Sequence, residues 1–495
     1  MNLRDKLQRL QIAAPAPDAD PAAEALARVR ALGVRDAFAN GEWERAFAPA
    51  ELAKLFEQPK LERVNGLRDR LATLKMRPVP AVGSEAELEA LKRERRQERR
   101  EPAVVRRAFA EALLDVHDRV PAPPTLVPGE RIETAQGPLY ATNVLHGADH
   151  RHGGVEVVRG AQVLASEVAL LALDEGLAGI DYTRALYIDT ETTGLVGGSG
   201  TLPFLIGMAW FEGEQLMVEQ LLLPRPGHEA PMLARLKERL AQASVVVSFN
   251  GKSFDWPLLR TRYVMNRMSV PVLPPHLDLL HCSRRVYKLR LGSVRLIHLE
   301  QEILNYERID DLPGELIPQR YFEFLRGNAE GGTLIPILDH NRSDLVALPA
   351  LLGELVRRLE PGARQHVCDQ LAFARVAARG QERERAIAHA QAAIDNDVRN
   401  EWSAHAHLLV GELELRRGEV LKAIAAYEAA VELGEELERA RAHLALAKLH
   451  EHKTKRFEHA LAHAACTAAC EGAEAQNRRV ARLTGRIERR AKLNA

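Results

Sequence analysis

The chain has 495 residues, enough for roughly three domains of ordinary size, each able to bury its own core. Lys plus Arg and Asp plus Glu both total 68, so the formal net charge is zero. That balance argues against a protein that coats polyanions wholesale, though it leaves room for local basic patches.

Four cysteines in so long a chain make no disulfide framework, and Cys466 and Cys470, at i, i+4 spacing in an Ala-rich segment, read as small core residues. The charged start MNLRDKLQRLQ lacks an apolar signal core, and no run approaches about 18 apolar residues. A soluble, cytoplasmic protein is expected.

In chain order, residues 1–120 read as a helix-prone N-terminal region. It opens with a short amphipathic helix and a Pro/Ala linker, APAPDADPAAE, and later carries the charged run LKRERRQERREPAVVRR, the pattern of a solvated helix face. Residues 121–183 read as a small β-rich accessory segment, with RIETAQGPLYATNVL and GVEVV as short extended pieces packed beside the region C-terminal to them.

From 184 to 362 the pattern sharpens. ALYIDT is a strand, FLIGMAWF and QLMVEQLLL form a hairpin, PMLARLKERLAQ is a helix, and SVVVSF is a further apolar strand. Helical FDWPLLRTRYVMNRM, extended HLDLL, helical VRLIHLEQEIL and the amphipathic HNRSDLVALPALLGELVRRL complete the region. Three strands followed by helix, strand and helix is the order of an α/β, ribonuclease-H-like mixed sheet flanked by helices.

Over 366–495 no strand pattern remains. The pairs Ala386-Ile387, Ala423-Ile424 and Ala460-Leu461 recur every 37 residues, the mark of an all-α solenoid of tetratricopeptide-like helical repeats with a period longer than usual.

The candidate chemistry lies in the middle region. Asp189 and Glu191 are two residues apart on a strand and so share a face, and an apolar run carries them to the rim of the sheet. Asp255 stands at a helix start, where an acid also stabilises the helix dipole. His340 and Asp344 are four apart on one face of the closing helix. Together they offer hard oxygen ligands of the kind Mg2+ or Mn2+ prefers, and no Cys/His cluster argues for zinc. Two such ions could hold a phosphodiester while a nearby His takes the proton of the attacking water. Pro349 is expected to kink the helix beyond Asp344, and Asp278 reads as a supporting or structural acid. Arg284, Arg285, Lys288, Arg290 and Arg295, with Tyr287 as a stacking aromatic, read as a single-strand-binding stretch.

The motifs IDTETTG, NGKSFD and HNRSD resemble those of the DnaQ-type (DEDD) superfamily of ribonuclease-H-fold 3′–5′ exonucleases, and within it the YprB-like branch, whose members often carry C-terminal tetratricopeptide repeats. The resemblance implies that Asp189, Glu191, Asp255 and Asp344 are ligands to two Mg2+ or Mn2+ ions and that His340 is the general base. It further implies that Thr192, Thr193, Gly194 and Leu195 meet the terminal nucleotide, with Asn250 and Phe254 nearby. The implied substrate is nucleic acid, DNA with a single-stranded end in a repair or processing setting, and the implied partner of the repeats is a protein such as a helicase. The spacing departs from the family: four residues separate the base from the last Asp, as in tyrosine-type members, yet the residue is His. The competing reading is a catalytically silent scaffold of the same fold whose repeats recruit partners.

Overall fold

The computed structural model describes residues 129–194, 201–326, 331–362, 365–398 and 401–494. The helix-prone region expected over 1–120 and the candidate substrate contact Leu195 lie outside the described residues.

Among the described residues, seven strands form one sheet in the order β1-β2-β7-β6-β5-β8-β9. They are β1 (Glu130–Thr134), β2 (Gly137–His146), β5 (Ala185–Thr192), β6 (Pro203–Glu212), β7 (Gln215–Leu222), β8 (Val245–Ser248) and β9 (His276–Asp278), and a small ribbon pairs β3 (Arg151–His152) with β4 (Val155–Glu156). β5, β8 and β9 run parallel and the remaining pairs of the large sheet are antiparallel. The β1–β2 pair, expected as a unit beside the sheet, is its outer edge: Tyr140 to His146 pair in register with Leu222 to Leu216. A short half-exposed hairpin carries no sequence mark of which edge it will extend, so this pairing could not be read in advance.

The helices that frame the sheet are α1 (Ala165–Ala172), α2 (Ala230–Gln242), α3 (Asp255–Met265), α4 (Leu279–Leu291), α5 (Ile317–Leu325) and α6 (Ile335–Arg357). Strand alternation sorts the core into two layers. Leu186 and Ile188 face Leu233, Leu236, Leu259, Tyr263 and Tyr321, whereas Ala185 and Tyr187 face Val286, Leu348, Leu351 and Leu355. α6 runs unbroken across Pro349, which seats so closely on Gly160 that a Cβ there would lie 2.5 Å from the proline Cβ.

α4 corrects one expectation. The stretch expected to bind single strands is a helix whose Leu279, Cys282, Val286 and Tyr287 form a buried stripe, and Tyr287 is fully buried and cannot stack a base. Arg290 on the same helix binds Asp369 instead of a backbone phosphate, and Arg285 lies 3.4 Å from the Leu171 carbonyl.

Beyond α6 the chain is all-helical. α7 (Val367–Arg379) and α8 (Arg383–Asn396), α9 (Ser403–Arg417) and α10 (Val420–Leu433), and α11 (Glu436–Leu449) and α12 (Phe457–Ala464) pack as successive hairpins, followed by α13 (Ala473–Asn494). Ala386, Ala423 and Ala460 hold equivalent places in α8, α10 and α12, and all are fully buried. Cys466 is exposed and Cys470 half-buried, contrary to the core reading, because α12 ends before either and the i, i+4 spacing spans a turn. α7 is continuous with the sheet's core, to which it adds Ala372, Phe373 and Val376. Among the described residues no helix is long and apolar enough to cross a membrane.

Candidate metal centre

The apolar half of β5 fixes where its acids go. Asp189 and Glu191 continue the face of Tyr187, under α6, while Thr190 continues the face of Ile188, toward α3. Asp189 pairs with Gly207 of β6, and that glycine lets α6 settle on the sheet: a Cβ there would lie 2.2 Å from Asn341 Oδ1 and 2.7 Å from Leu345 Cδ1. Asn341, fully buried, donates from Nδ2 to Asp189 Oδ2 at 2.8 Å. Its own Oδ1 accepts from Gln220 Nε2 at 2.8 Å, which also donates to the Leu338 carbonyl at 2.8 Å. A chain of buried amides thus holds Asp189 in place.

Asp255 enters from the other side, at the first turn of α3. The Thr190 hydroxyl donates to its Oδ1, and the turn before it is close-packed, since a Cβ on Gly251 would lie 2.4 Å from Ser248 Oγ. Asn250 occupies the left-handed region at φ 72°, which Asn tolerates better than most residues. Asp278 clamps this turn by accepting from the amides of Asn250 at 2.8 Å and Lys252 at 3.2 Å, and it caps α4 through the Leu280 amide at 3.1 Å. Its place is structural.

α6 brings His340 and Asp344 to the same rim. His340 Nδ1 lies 2.8 Å from Asp311 Oδ1, and its Nε2 lies 3.7 Å from Asp344 Oδ2. Arg308 donates to Asp344 Oδ1 and, at 2.8 Å, to Glu300 Oε2. Asp339 forms an exposed pair with Arg342, so of the two neighbours of His340 it is Asn341 that reaches the cluster.

Crowding shows in the proton affinities. Burial, then the charges of Asp344, Glu191 and Asp255, hold the Asp189 carboxyl well above the usual carboxylate range. Burial, then Asp344 and Asp255, does the same to Glu191 despite the opposing charge of Arg308. Asp255 is pushed up to about 6, chiefly by burial, with the Thr190 hydrogen bond working against the shift. A set of acids that resists ionisation together is one that a cation would relieve.

The donor set fits that role. Glu191, His340 and Asp344 each offer a ligand atom, and these atoms lie within 4.8 Å of one another, the arrangement of this kind found among the described residues. Asp189 and Asp255 stand outside that trio, each with one oxygen held by Asn341 or Thr190. The candidate substrate contacts divide. Thr193 is buried, and both its amide and its hydroxyl are bonded to Leu202 at 3.0 Å. Thr192 bonds the Gly194 carbonyl at 3.0 Å, a Cβ at Gly194 would meet open space, and Phe254 is 57% exposed. Arg308, Asp311, Gly207 and Gln220 were not anticipated. Of these only Gly207 left a trace, as a glycine inside a fully apolar strand.

A family model described as RNase_H superfamily matches residues 186–356, the span that holds β5, α3 and nearly all of α6. The uncharacterized protein YprB of Bacillus subtilis (strain 168) is 32% identical over 358 residues, which cover 68% of this chain and 83% of the relative. The chain belongs to the YprB family. Ribonuclease-H-like domains in general serve nuclease hydrolases that bind nucleic acid and use divalent metals.

Proposed function

We propose that this chain is a divalent-metal-dependent exonuclease of the DEDD type, hydrolysing phosphodiester bonds 3′–5′ on DNA with a single-stranded end, in a repair or processing role. The observation that carries the reading is the convergence of Asp189, Glu191, Asp255 and Asp344 on one rim, where Asp189, Glu191 and Asp255 hold protons more tightly than isolated carboxylates do. In this reading the four acids hold two Mg2+ or Mn2+ ions, which when bound supply positive charge to the phosphodiester and acidify the attacking water.

The chain's own residues do the rest. Asp311 accepts a hydrogen bond from the His340 Nδ1–H, which leaves Nε2 as the proton acceptor facing the cluster. Asn341 keeps the Asp189 carboxylate from turning, and Thr190 does the same for Asp255. In this reading Thr192, Gly194 and Leu195 meet the terminal nucleotide, with Thr193 tied to Leu202 just before β6 and Asn250 shaping the turn that presents Phe254 as a surface on which a base stacks. The helical repeats serve a protein partner, such as a helicase.

A second reading of one residue comes from the same distances: His340 lies close enough to Glu191 and Asp344 to be a ligand. His340→Ala separates the two, since loss of a base slows turnover about 10² to 10⁴-fold at unchanged metal affinity, whereas loss of a ligand weakens metal binding itself.

The reading as a whole is tested by offering end-labelled single- and double-stranded DNA and RNA to the purified protein with Mg2+, Mn2+ or EDTA. Stepwise shortening from the 3′ end of single-stranded DNA, abolished by EDTA, is the expected result. Absence of hydrolysis under every condition would favour the scaffold alternative.

A further inference from the structure

The acidic cluster already contains a cation of its own. The Arg308 side chain is 5% exposed and lies among three carboxylates: it bonds Asp344 Oδ1, donates to Glu300 Oε2 at 2.8 Å, and stands 3.4 Å from Asp311 Oδ2. Its rear support is built into the core. Glu300 is fully buried, its other oxygen lies 2.8 Å from His152 Nε2, and the Tyr306 ring packs on His152 with centroids 3.8 Å apart. A π-helical turn over Glu300–Leu304 closes at Asn305 in the left-handed region, and the Tyr306 amide bonds the Glu300 carbonyl at 2.9 Å, which aims the next residues back at the cluster. Arg308 and Asp311 thus reach Asp344 and His340 from one short segment.

This placement conflicts with a divalent ion at the same carboxylate. A guanidinium hydrogen bond takes Asp344 Oδ1 and leaves only Oδ2, on the His340 side, to a cation, and two positive charges on one carboxylate, a few ångströms apart, repel each other. Glu300 gives Arg308 somewhere to stay when it lets go. Resting on the reading of Asp344 as a metal ligand, we propose that Arg308 is the resident counter-ion of the metal-free centre and that divalent metal binds by displacing it from Asp344, with Arg308 falling back on Glu300. The metal-free protein is then self-blocked, and its apparent metal affinity is lowered by the share of molecules in which the Arg308–Asp344 bridge is closed.

The test is Mn2+ binding to the full chain by calorimetry, for the wild type, Arg308→Gln and Arg308→Lys, with a crystal structure of the Mn2+-loaded wild type. If the bridge is closed in nine molecules of ten, Arg308→Gln binds Mn2+ about tenfold more tightly, and Arg308→Lys, which keeps the charge, stays within about threefold of the wild type. In the loaded crystal Arg308 should be bonded to Glu300 and parted from Asp344. An ion seated on Asp344 with the Arg308 bridge intact would overturn the proposal, as would an Arg308→Gln protein that binds Mn2+ no more tightly. The crystal arm uses the wild type and so holds even where a variant fails to fold. A wild type that takes up no Mn2+ would instead sink the metal reading on which the proposal rests.

Discussion

Two buried meetings of acid and base in this chain have opposite balance. At the junction between the sheet and the helical repeats, Asp369 has no exposed surface, accepts three hydrogen bonds of 2.9 to 3.1 Å from Arg290, and lies 3.8 Å from Arg358. Nearby, Arg385 grips Glu167 of α1 at 2.6 and 2.9 Å. The buried Asp369 there lies between two cations, and the arrangement fastens α7 to the core. At the rim of β5 the ratio is reversed: Glu300, Asp311 and Asp344 share the one Arg308, and Asp189, Glu191 and Asp255 crowd in beside them. A charge cluster that neutralises itself holds structure; one left in deficit is poised to take up a ligand of opposite charge.

Removing acids from the deficient cluster should therefore cost activity and spare the fold. Alanine at Asp189, Glu191, Asp255 or Asp344 is expected to lower divalent-dependent hydrolysis by about 10³-fold or more, while thermal unfolding of the metal-free Asp189, Glu191 and Asp255 variants stays at or slightly above the wild-type midpoint and that of Asp344→Ala, which takes a partner from the buried Arg308, falls below it. Near-normal turnover in any two of the four would erase the difference between the clusters.

The matched junction should respond in the opposite way. Asp369→Ala removes the buried anion that Arg290 and Arg358 share and leaves a void beside them, and a loss of about 3 kcal/mol in urea unfolding is expected. The rate per folded molecule on a short single-stranded oligonucleotide should not change. Because α7 supplies Phe373 and Val376 to the sheet's own core, a chain ending near residue 362 should unfold more readily than one ending near 398.

A pH series separates the two clusters further. The Asp255 carboxyl is raised from an ordinary 3.8 to about 6, so the metal-free fold gains most from it below about pH 3.8 and loses that contribution as pH rises through about 6. Asp189 and Glu191 shift in the same direction. Asp255→Asn should remove part of this fall, so that at pH 7.5 the metal-free variant is more stable than the wild type by up to about 3 kcal/mol, less what solvent screening takes away. Equal pH dependence of the two proteins in EDTA would count against the crowding. The smallest effect is expected at the rim's exposed edge. Phe254→Ala should leave stability within about 0.5 kcal/mol and weaken single-strand binding by about 1 kcal/mol, read by fluorescence anisotropy.

The acids are visible in the sequence because their geometry is local. Alternation puts Asp189 and Glu191 on one face, and i, i+4 spacing puts His340 beside Asp344, whatever the rest of the chain does. Arg308 and Asp311 sit in an aperiodic segment and meet Asp344 and His340 across 36 and 29 residues, so no window of sequence could join them. Tyr287 is misleading for a different reason. The stripe Leu279, Cys282, Val286, Tyr287 has helical period, but the arginines between them point to charge instead of spacing. The repeat period is legible because burial of a small residue recurs at Ala386, Ala423 and Ala460. The hairpin β1–β2 is legible as strands but not as the sheet's edge, since its pairing partner β7 lies some 70 residues on.

Whether the unbalanced acids form a binding site for divalent cations can be decided by titrating Mn2+ into the full chain at pH 7.5 and counting bound ions by electron paramagnetic resonance. Saturable uptake of Mn2+ by the wild type is expected, strongly weakened by Asp189→Ala or Asp344→Ala and untouched by Asp369→Ala. Uptake that is absent, or equal in all of these proteins, would contradict the assignment of the β5 rim as a metal centre.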